Sequence, residues 1–300
     1  MAPEARAAQL TSSLQRRSEE RVPADWAVLA RSDPHTRVLL ARGTRFLVRQ
    51  EPGTGIVFLK PEQPPLPALA DSQLILLGWF EERRCLLAEL PPELPFEPVE
   101  GRFEELRPLL ALLREDEVRL LSYARALLVW RERHRYCGVC GSPTQAQSAG
   151  HLMVCSSPSC AAEFFPRIDP AIIVLVTAGS KALLGRQQSW PAGRYSTLAG
   201  FVEPGETPEE AVVREVEEET GVRVEAVKYF ASQPWPFPAS LMLGFHAAAA
   251  ERAVRLSGEL EDARWFERSE LGSGTGPLLP QPHTIARQLI EHWLRSPPRD

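Results

Sequence analysis

Lysine is almost missing from this chain. Lys60, Lys181 and Lys228 stand among 34 basic residues, the rest being arginine, a bias we attribute to coding rather than to function. Positive charge is in deficit, with a formal net charge of −5. That argues against a sequence-independent grip on a nucleic-acid backbone, which needs clustered positive charge, but not against the entry of one short RNA end into a pocket. No apolar run reaches the ~18 residues of a transmembrane helix, so a membrane is not an expected partner. The first 23 residues hold several arginines but lack the apolar core of a secretory signal. Glu4, Glu19 and Glu20 count against a transit peptide, which leaves a flexible N-terminus on a cytoplasmic protein as the expectation.

What is there is globular. A chain of 300 residues, 44% hydrophobic and 24% charged, predicts two domains with room for a small third. Short apolar runs at 27–30, 38–40, 46–48, 56–59, 74–79 and 85–87 read as strands, interrupted by prolines at 61, 64, 65 and 67. From 102 to 133 leucines recur at threes and fours, which predicts helix. Further strands are predicted at 171–177, 182–185, 222–230, 241–250 and 263–266, and a final amphipathic helix at 284–294, where Ile285, Leu289, Ile290 and Trp293 share a face. Strands and helices that alternate in the C-terminal part predict an α/β layered fold.

Cysteine is scarce, and four of the five are clustered. Two residues separate Cys137 from Cys140, which is followed by a glycine; Cys155 and Cys160 follow about fifteen residues later. This is zinc-ribbon spacing. Four thiolates select zinc and leave no open coordination position, so the predicted role is structural. Disulfides or free thiols are the alternatives. Cys85, in a strand-like run, reads as a core residue.

The densest chemistry lies between Gly200 and Val222. Five residues separate Gly200 from Glu206, and seven more lead to Arg214-Glu215-Val216; Glu218-Glu219 and Gly221-Val222 follow. Thr207, Pro208 and Glu210 form a helix start and Gly221 a stop, which predicts a helix over 208–220. Glu215, Glu218 and Glu219 fall within one arc about 100° wide, beside an apolar arc of Val212, Val213 and Val216. Like charges so placed repel by roughly 0.2–0.5 kcal/mol per pair when exposed. Converging hard oxygens are what Mg2+ or Mn2+ requires, and such an ion removes the repulsion and attracts a phosphate. A solvated acidic face is the plain alternative, as an exposed arginine is for Arg214. Ten residues on, Ser232-Gln-Pro-Trp-Pro-Phe-Pro-Ala-Ser240 holds Trp235 and Phe237 in a stiff extended frame. These rings either stack on a ligand or fill the core.

The stretch from Gly200 to Val222 resembles the Nudix box and matches it at every defining position. The later segment, with the four-cysteine module, resembles the NADH pyrophosphatase family of Nudix hydrolases, strongly over 137–294 and loosely before. The resemblance implies a C-terminal Nudix α/β/α sandwich at 169–300, a zinc-ribbon module at 131–168 and an α+β N-terminal domain at 1–130. It implies hydrolysis of NAD(H) to nicotinamide mononucleotide and AMP, removal of NAD caps from RNA 5′ ends by some members, and a homodimer. Two or three Mg2+ or Mn2+ ions are then held by Glu215, Glu218, Glu219 and the Ala199 carbonyl. Glu259 matches the fourth acidic ligand, with Glu261 as fallback. Glu219 orients or deprotonates the attacking water, and Arg214 holds the loop. Phe201 stacks on the nicotinamide. Gln233, Pro234, Trp235, Pro236, Phe237, Pro238, Ala239 and Ser240 line the dinucleotide site, and Ala286 gives a backbone contact. Phe165 stands where members often have a tyrosine, and Gly150-His151 stands where some bacterial relatives have a polar residue. Both departures bear on substrate preference. A broader dinucleotide or ADP-ribose pyrophosphatase, or a non-enzymatic NAD sensor, are the competing functions.

Overall fold

The computed structural model describes residues 13–51, 53–274 and 276–297. The chain divides into two compact units, 1–167 and 168–300.

The first unit is built on a sheet of β1 (Leu14–Gln15), β2 (Arg37–Arg42), β3 (Arg45–Arg49), β4 (Gly55–Ile56), β5 (Phe58–Leu59), β6 (Leu74–Phe80), β7 (Arg83–Glu89) and β8 (Arg102–Glu105). The main path runs β1-β6-β7-β2-β3-β4, with β5 on β2 and β8 on β3. Helices α1 (Trp26–Ser32), α2 (Leu106–Leu109) and α3 (Glu115–Arg133) belong to the same unit. Three sequence expectations are corrected here. Residues 27–30 lie in α1, not a strand: Ala27 and Ala30 are buried at a spacing of three, a period that a four-residue run cannot display. Residues 102–105 form β8 because they pair with β3, and helix starts only at Leu106. The predicted strand at 56–59 is two short pieces on different partners, β4 on β3 and β5 on β2. Residues 1–12 of the predicted flexible N-terminus lie outside the described residues, whereas Leu14 and Gln15 are tied to β6.

The cysteine module adds β9 (Thr144–Gln147), β10 (Leu152–Cys155) and β11 (Glu163–Phe164), paired in the order β11-β10-β9. Its β9–β10 connection plugs into the first unit. Ala149 is buried within the N-terminal core. Gly150 packs so closely on Ile75 that a Cβ would meet Cγ1 at 2.9 Å. His151, also buried, lies with Nε2 2.6 Å from the Tyr123 hydroxyl of α3. Burial pushes the His151 imidazole down to about 4, with the charge of Arg21 adding to the effect.

The second unit is an α/β/α sandwich. Its sheet comprises β12 (Asp169–Ala178), β13 (Lys181–Arg186), β14 (Leu198–Phe201), β15 (Val224–Trp235), β16 (Ser240–Ala249) and β17 (Asp262–Glu267). The order is β15-β16-β12-β13-β17, with β14 on β12 and the β12–β16 pair parallel. Among the described residues three helices accompany it, α4 (Pro208–Thr220), α5 (Arg268–Gly272) and α6 (Ile285–Arg295). The period-two pattern of β12 sorts its side chains. Ile172, Val174 and Val176 pack with Val212 and Val216 of α4. Ile173 and Leu175 pack with Ile285, Leu289, Ile290 and Trp293 of α6 on the opposite face. Val213 was expected on the apolar arc of α4 but is 40% exposed, one position past the buried pair Ala211 and Val212. Among the described residues no helix is long and apolar enough to cross a membrane.

Candidate active site

The site is framed by β14, the loop after it and α4. Thr207 caps α4: the Glu210 amide donates to its Oγ1 at 3.2 Å and its own amide donates to Glu210 Oε2 at 2.8 Å. Gly221 ends the helix in the left-handed conformation, φ 67°, with its amide on the Glu217 carbonyl at 2.8 Å. Gly200 is needed for a different reason, since a Cβ there would overlap the Glu215 carboxylate.

Arg214 ties these pieces together. Its Nε and Nη2 donate to the two oxygens of Glu206 at 2.7 and 2.9 Å, and Nη2 also donates to the Phe201 carbonyl at 2.9 Å. Nη1 lies 3.0 Å from both Glu218 Oε2 and Glu215 Oε1. The fork on Glu206 is the bidentate geometry that arginine alone supplies. This guanidinium, then the Glu203 amide, hold the Glu206 carboxyl down at about 2. The same pairing pushes Arg214 upward, so the loop is locked as an ion pair.

Four carboxylates share a field. Glu219 is 3% exposed, and its Oε2 is buried with no hydrogen-bond partner. Burial pushes its carboxyl up to about 8, with the charges of Glu259 and Glu215 adding to the effect. Glu215 is also raised, first by burial, with Arg214 opposing and Glu218 and Glu259 reinforcing. Glu218 sits at the rim, its side chain 59% exposed. Glu259 is exposed and acts on both inner carboxylates. Glu261 instead pairs with Arg186. A buried carboxylate oxygen without a partner, beside two further carboxylates, fits a divalent cation held by hard oxygens. Ala199 is an exposed position of β14, opposite Ile173, and Phe201 at the end of that strand is 58% exposed.

The proline-rich segment is half strand. Ser232 to Trp235 complete β15, Ser240 opens β16 opposite Trp235, and Pro236 to Ala239 make the turn, with Phe237–Pro238 cis. Trp235 and Phe237 meet edge to face, centroids 5.1 Å apart, and both are part-exposed, so neither is a core ring. Pro236 is buried, whereas Pro234 is exposed and Pro238 and Ala239 are part-exposed. Gln233 is committed elsewhere: its Nε2 donates to the His283 carbonyl at 2.8 Å and its Oε1 accepts from the Ile285 amide at 2.8 Å. Both ends of this amide therefore fix the start of α6, where Ala286 is buried in the first turn. Gln233 anchors the hairpin; nothing in the residue types of the motif distinguishes such an anchor from a lining residue.

In the first unit, the ligand atoms of Cys137, Cys140, Cys155 and Cys160 all lie within 4.8 Å of one another. Sγ separations of 3.8 Å (Cys137–Cys160) and 3.4 Å (Cys140–Cys155) are far beyond a disulfide bond. They approach the ~3.8 Å edge of a tetrahedron with zinc–sulfur bonds of about 2.3 Å. The amides of Val139 and Ser157 point at the sulfurs of Cys137 and Cys155, both at 3.4 Å. The four thiols thus fit a closed structural zinc site. Phe165, just past β11, is 64% exposed.

Comparison with known proteins matches three stretches of the chain. Residues 35–130 match the NADH pyrophosphatase-like rudimentary NUDIX domain, 132–165 the NADH pyrophosphatase zinc ribbon domain, and 167–292 the NUDIX domain. Over 230 residues the chain is 44% identical to the NAD-capped RNA hydrolase NudC of Stutzerimonas stutzeri, covering 76% of this chain and 79% of that protein. The chain belongs to the NADH pyrophosphatase family of Nudix hydrolases. The family likeness extends beyond bacteria. The human NAD-capped RNA hydrolase NUDT12 is 34% identical over 336 residues, covering 95% of this chain and 72% of that protein. The NAD-capped RNA hydrolase NudC of Mycobacterium bovis is 38% identical over 297 residues, covering 91% and 88% respectively.

Two features of this Nudix unit escaped the sequence reading. Arg186 bonds the Trp190–Pro191 turn as well as Glu261, and the Tyr195 hydroxyl donates to Asp262. Arg186 ends β13 and Tyr195 lies in the connection before β14, and no local periodicity marks either of them.

Proposed function

We propose that this chain hydrolyses the pyrophosphate of NAD(H), giving nicotinamide mononucleotide and AMP, and that NAD at the 5′ end of RNA is also a substrate. The observation that carries the reading is the buried, unpartnered Glu219 Oε2 within the field of Glu215 and Glu259. Glu215, Glu218, Glu219 and Glu259 would hold Mg2+ or Mn2+, with the Ala199 carbonyl as a further oxygen. When bound, the divalent cations would neutralise charge developing on the pyrophosphate and activate water.

The residues of the chain then have distinct tasks. Besides holding the cations, Glu219 would orient the attacking water and take its proton, a role supported by its buried carboxylate. Arg214 stays out of the chemistry; it holds Glu206, Glu215, Glu218 and the Phe201 carbonyl in one frame. Phe201 offers a ring to the nicotinamide, and Trp235, Phe237 and the turn through Ser240 offer a rigid aromatic wall, where stacking gives roughly 1–3 kcal/mol per base. Gln233 fixes that wall to the first turn of α6, which carries Ala286. Phe165 bears on substrate preference as a ring without a hydroxyl. The proposal includes a homodimer whose partner completes the nicotinamide side, and a cytoplasmic setting that keeps the zinc thiolates reduced. It also takes 1–130, 131–168 and 169–300 as the functional segments.

Product analysis on NADH, NAD+, ADP-ribose, diadenosine compounds and NAD-capped RNA, each with Mg2+ and with Mn2+, tests the reading. NADH and NAD-capped RNA are expected to be cleaved at the pyrophosphate. Faster turnover of ADP-ribose would favour the broader hydrolase, and no product at all would favour a sensor. Glu219→Gln should lower kcat by orders of magnitude; a near wild-type kcat would remove Glu219 from its role.

A further inference from the structure

The fourth carboxylate, Glu259, lies outside every regular element, between Ala249 at the end of β16 and Asp262 at the start of β17. An exposed side chain on an irregular segment does not hold a fixed position by itself, because ordering the backbone has an entropic cost. Something must fix the segment, and the two residues after Glu259 show what does. Leu260 is 7% exposed and packs in the core beneath α4. It lies directly on Gly185, where a Cβ would come within 2.8 Å of Leu260 Cδ1 and 2.9 Å of Leu198 Cδ2. The next residue, Glu261, is held by Arg186. Its amide donates to the Arg186 carbonyl at 2.9 Å, and its carboxylate pairs with the Arg186 guanidinium.

Arg186 is well suited to the task. Its side chain is 12% exposed, although it ends a strand. Nη1 donates to the Pro191 carbonyl at 2.7 Å and Nη2 to the Trp190 carbonyl at 3.3 Å. One guanidinium thus staples the 190–191 turn, the end of β13 and the segment that carries Glu259. A lysine could keep the charge pair but not the fork to two carbonyls.

We propose that Arg186 is a positioning residue for divalent-cation binding, acting through Glu261 to hold Glu259 towards Glu215 and Glu219. Glu261 is then the counter-ion of this staple and not a cation ligand. The inference rests on the reading of Glu259 as a ligand, and the test separates the two.

The test uses the zinc-replete full-length chain. Free Mn2+ is titrated by electron paramagnetic resonance on wild type, Arg186→Gln, Glu259→Gln and the double variant, with NADH turnover against Mn2+ concentration alongside. Arg186→Gln should weaken Mn2+ binding about three- to tenfold, below the ~10–100-fold typical where the supporting group bonds the ligand itself. The Mn2+ concentration for half-maximal turnover should rise in parallel, and the KM for NADH at saturating Mn2+ should not. Added to Glu259→Gln, the substitution should weaken Mn2+ binding no further. If Glu259→Gln weakens binding and Arg186→Gln does not, or if the two effects add in full, the positioning role is overturned while Glu259 stands. If Glu259→Gln leaves Mn2+ affinity unchanged, the ligand reading falls and takes the inference with it. Glu261→Gln, which keeps both carbonyl bonds of Arg186, should give the same effect in smaller measure; it carries the test should Arg186→Gln fail to fold.

Discussion

Glu219→Gln should make the cation-free protein more stable at high pH while it abolishes turnover. The carboxyl titrates near 4.5 in an unfolded chain and at about 8 in the fold. Between those values the folded state holds a proton that the unfolded state has released, so stability falls as pH rises through that window. At about 1.4 kcal/mol per pKa unit, the full gap corresponds to roughly 5 kcal/mol of destabilisation above pH 8, and to about 3 kcal/mol at pH 7. Glutamine does not titrate, so the variant escapes this loss. Its buried amide brings a cost of its own, roughly 1–3 kcal/mol for an unsatisfied polar group, but that cost does not vary with pH. The stability of the variant relative to wild type should therefore improve by about 3–4 kcal/mol from pH 5 to pH 8. Calorimetry on the zinc-replete chain without Mg2+ or Mn2+ reads this, following the transition that Mn2+ shifts in wild type. Saturating Mn2+ should reverse the order at pH 8, because binding stabilises more strongly the form that keeps its full ligand set. A stability difference that stays flat from pH 5 to pH 8 would refute the buried, unpaired state of Glu219.

Gly200→Ala should displace the Glu215 carboxylate and cut kcat by about 100-fold, the scale of a 1 Å misplacement at a reacting centre, with little change in thermal stability; a loss under threefold in steady-state assays would show that the close approach is not needed. Arg214→Lys cannot fork onto Glu206 and the Phe201 carbonyl together, and should lower kcat/KM by about 10–150-fold, the equivalent of roughly 1.5–3 kcal/mol. Cys155→Ser, or zinc removal, should speed amide exchange by mass spectrometry in β6 and α3 as well as in the cysteine module, since Gly150 and His151 seat against Ile75 and Tyr123; faster exchange confined to 137–164 would contradict the shared core.

Much of the site was legible because its determinants are local. Thr207, Pro208, Glu210 and Gly221 fix the limits of α4 within one helix length, and the carboxylate spacing follows from them. The face of α4 was legible only in part: Val213 fits an apolar arc by composition, and only the sheet packing decides that Ala211 takes the core place instead. Residues 27–30 show the same limit, since four apolar residues carry no period, and β8 exists only because β3 is there to pair with it. The split roles within the proline-rich motif were not legible either. Gln233 and Trp235 are two apart on one strand, yet one binds the backbone of α6 and the other meets Phe237, a difference set by what lies some fifty residues away.

The seating of the β9–β10 connection also orders events during synthesis. A nascent chain ending just past Arg133 has all the described strands and helices of the N-terminal sheet but lacks Ala149, the piece that fills its core, and the histidine that meets Tyr123. The core under the sheet is filled only once the cysteine module has emerged, and the closing of that module would depend on its metal. Zinc binding would therefore be coupled to the packing of a region that contains none of the proposed catalytic carboxylates.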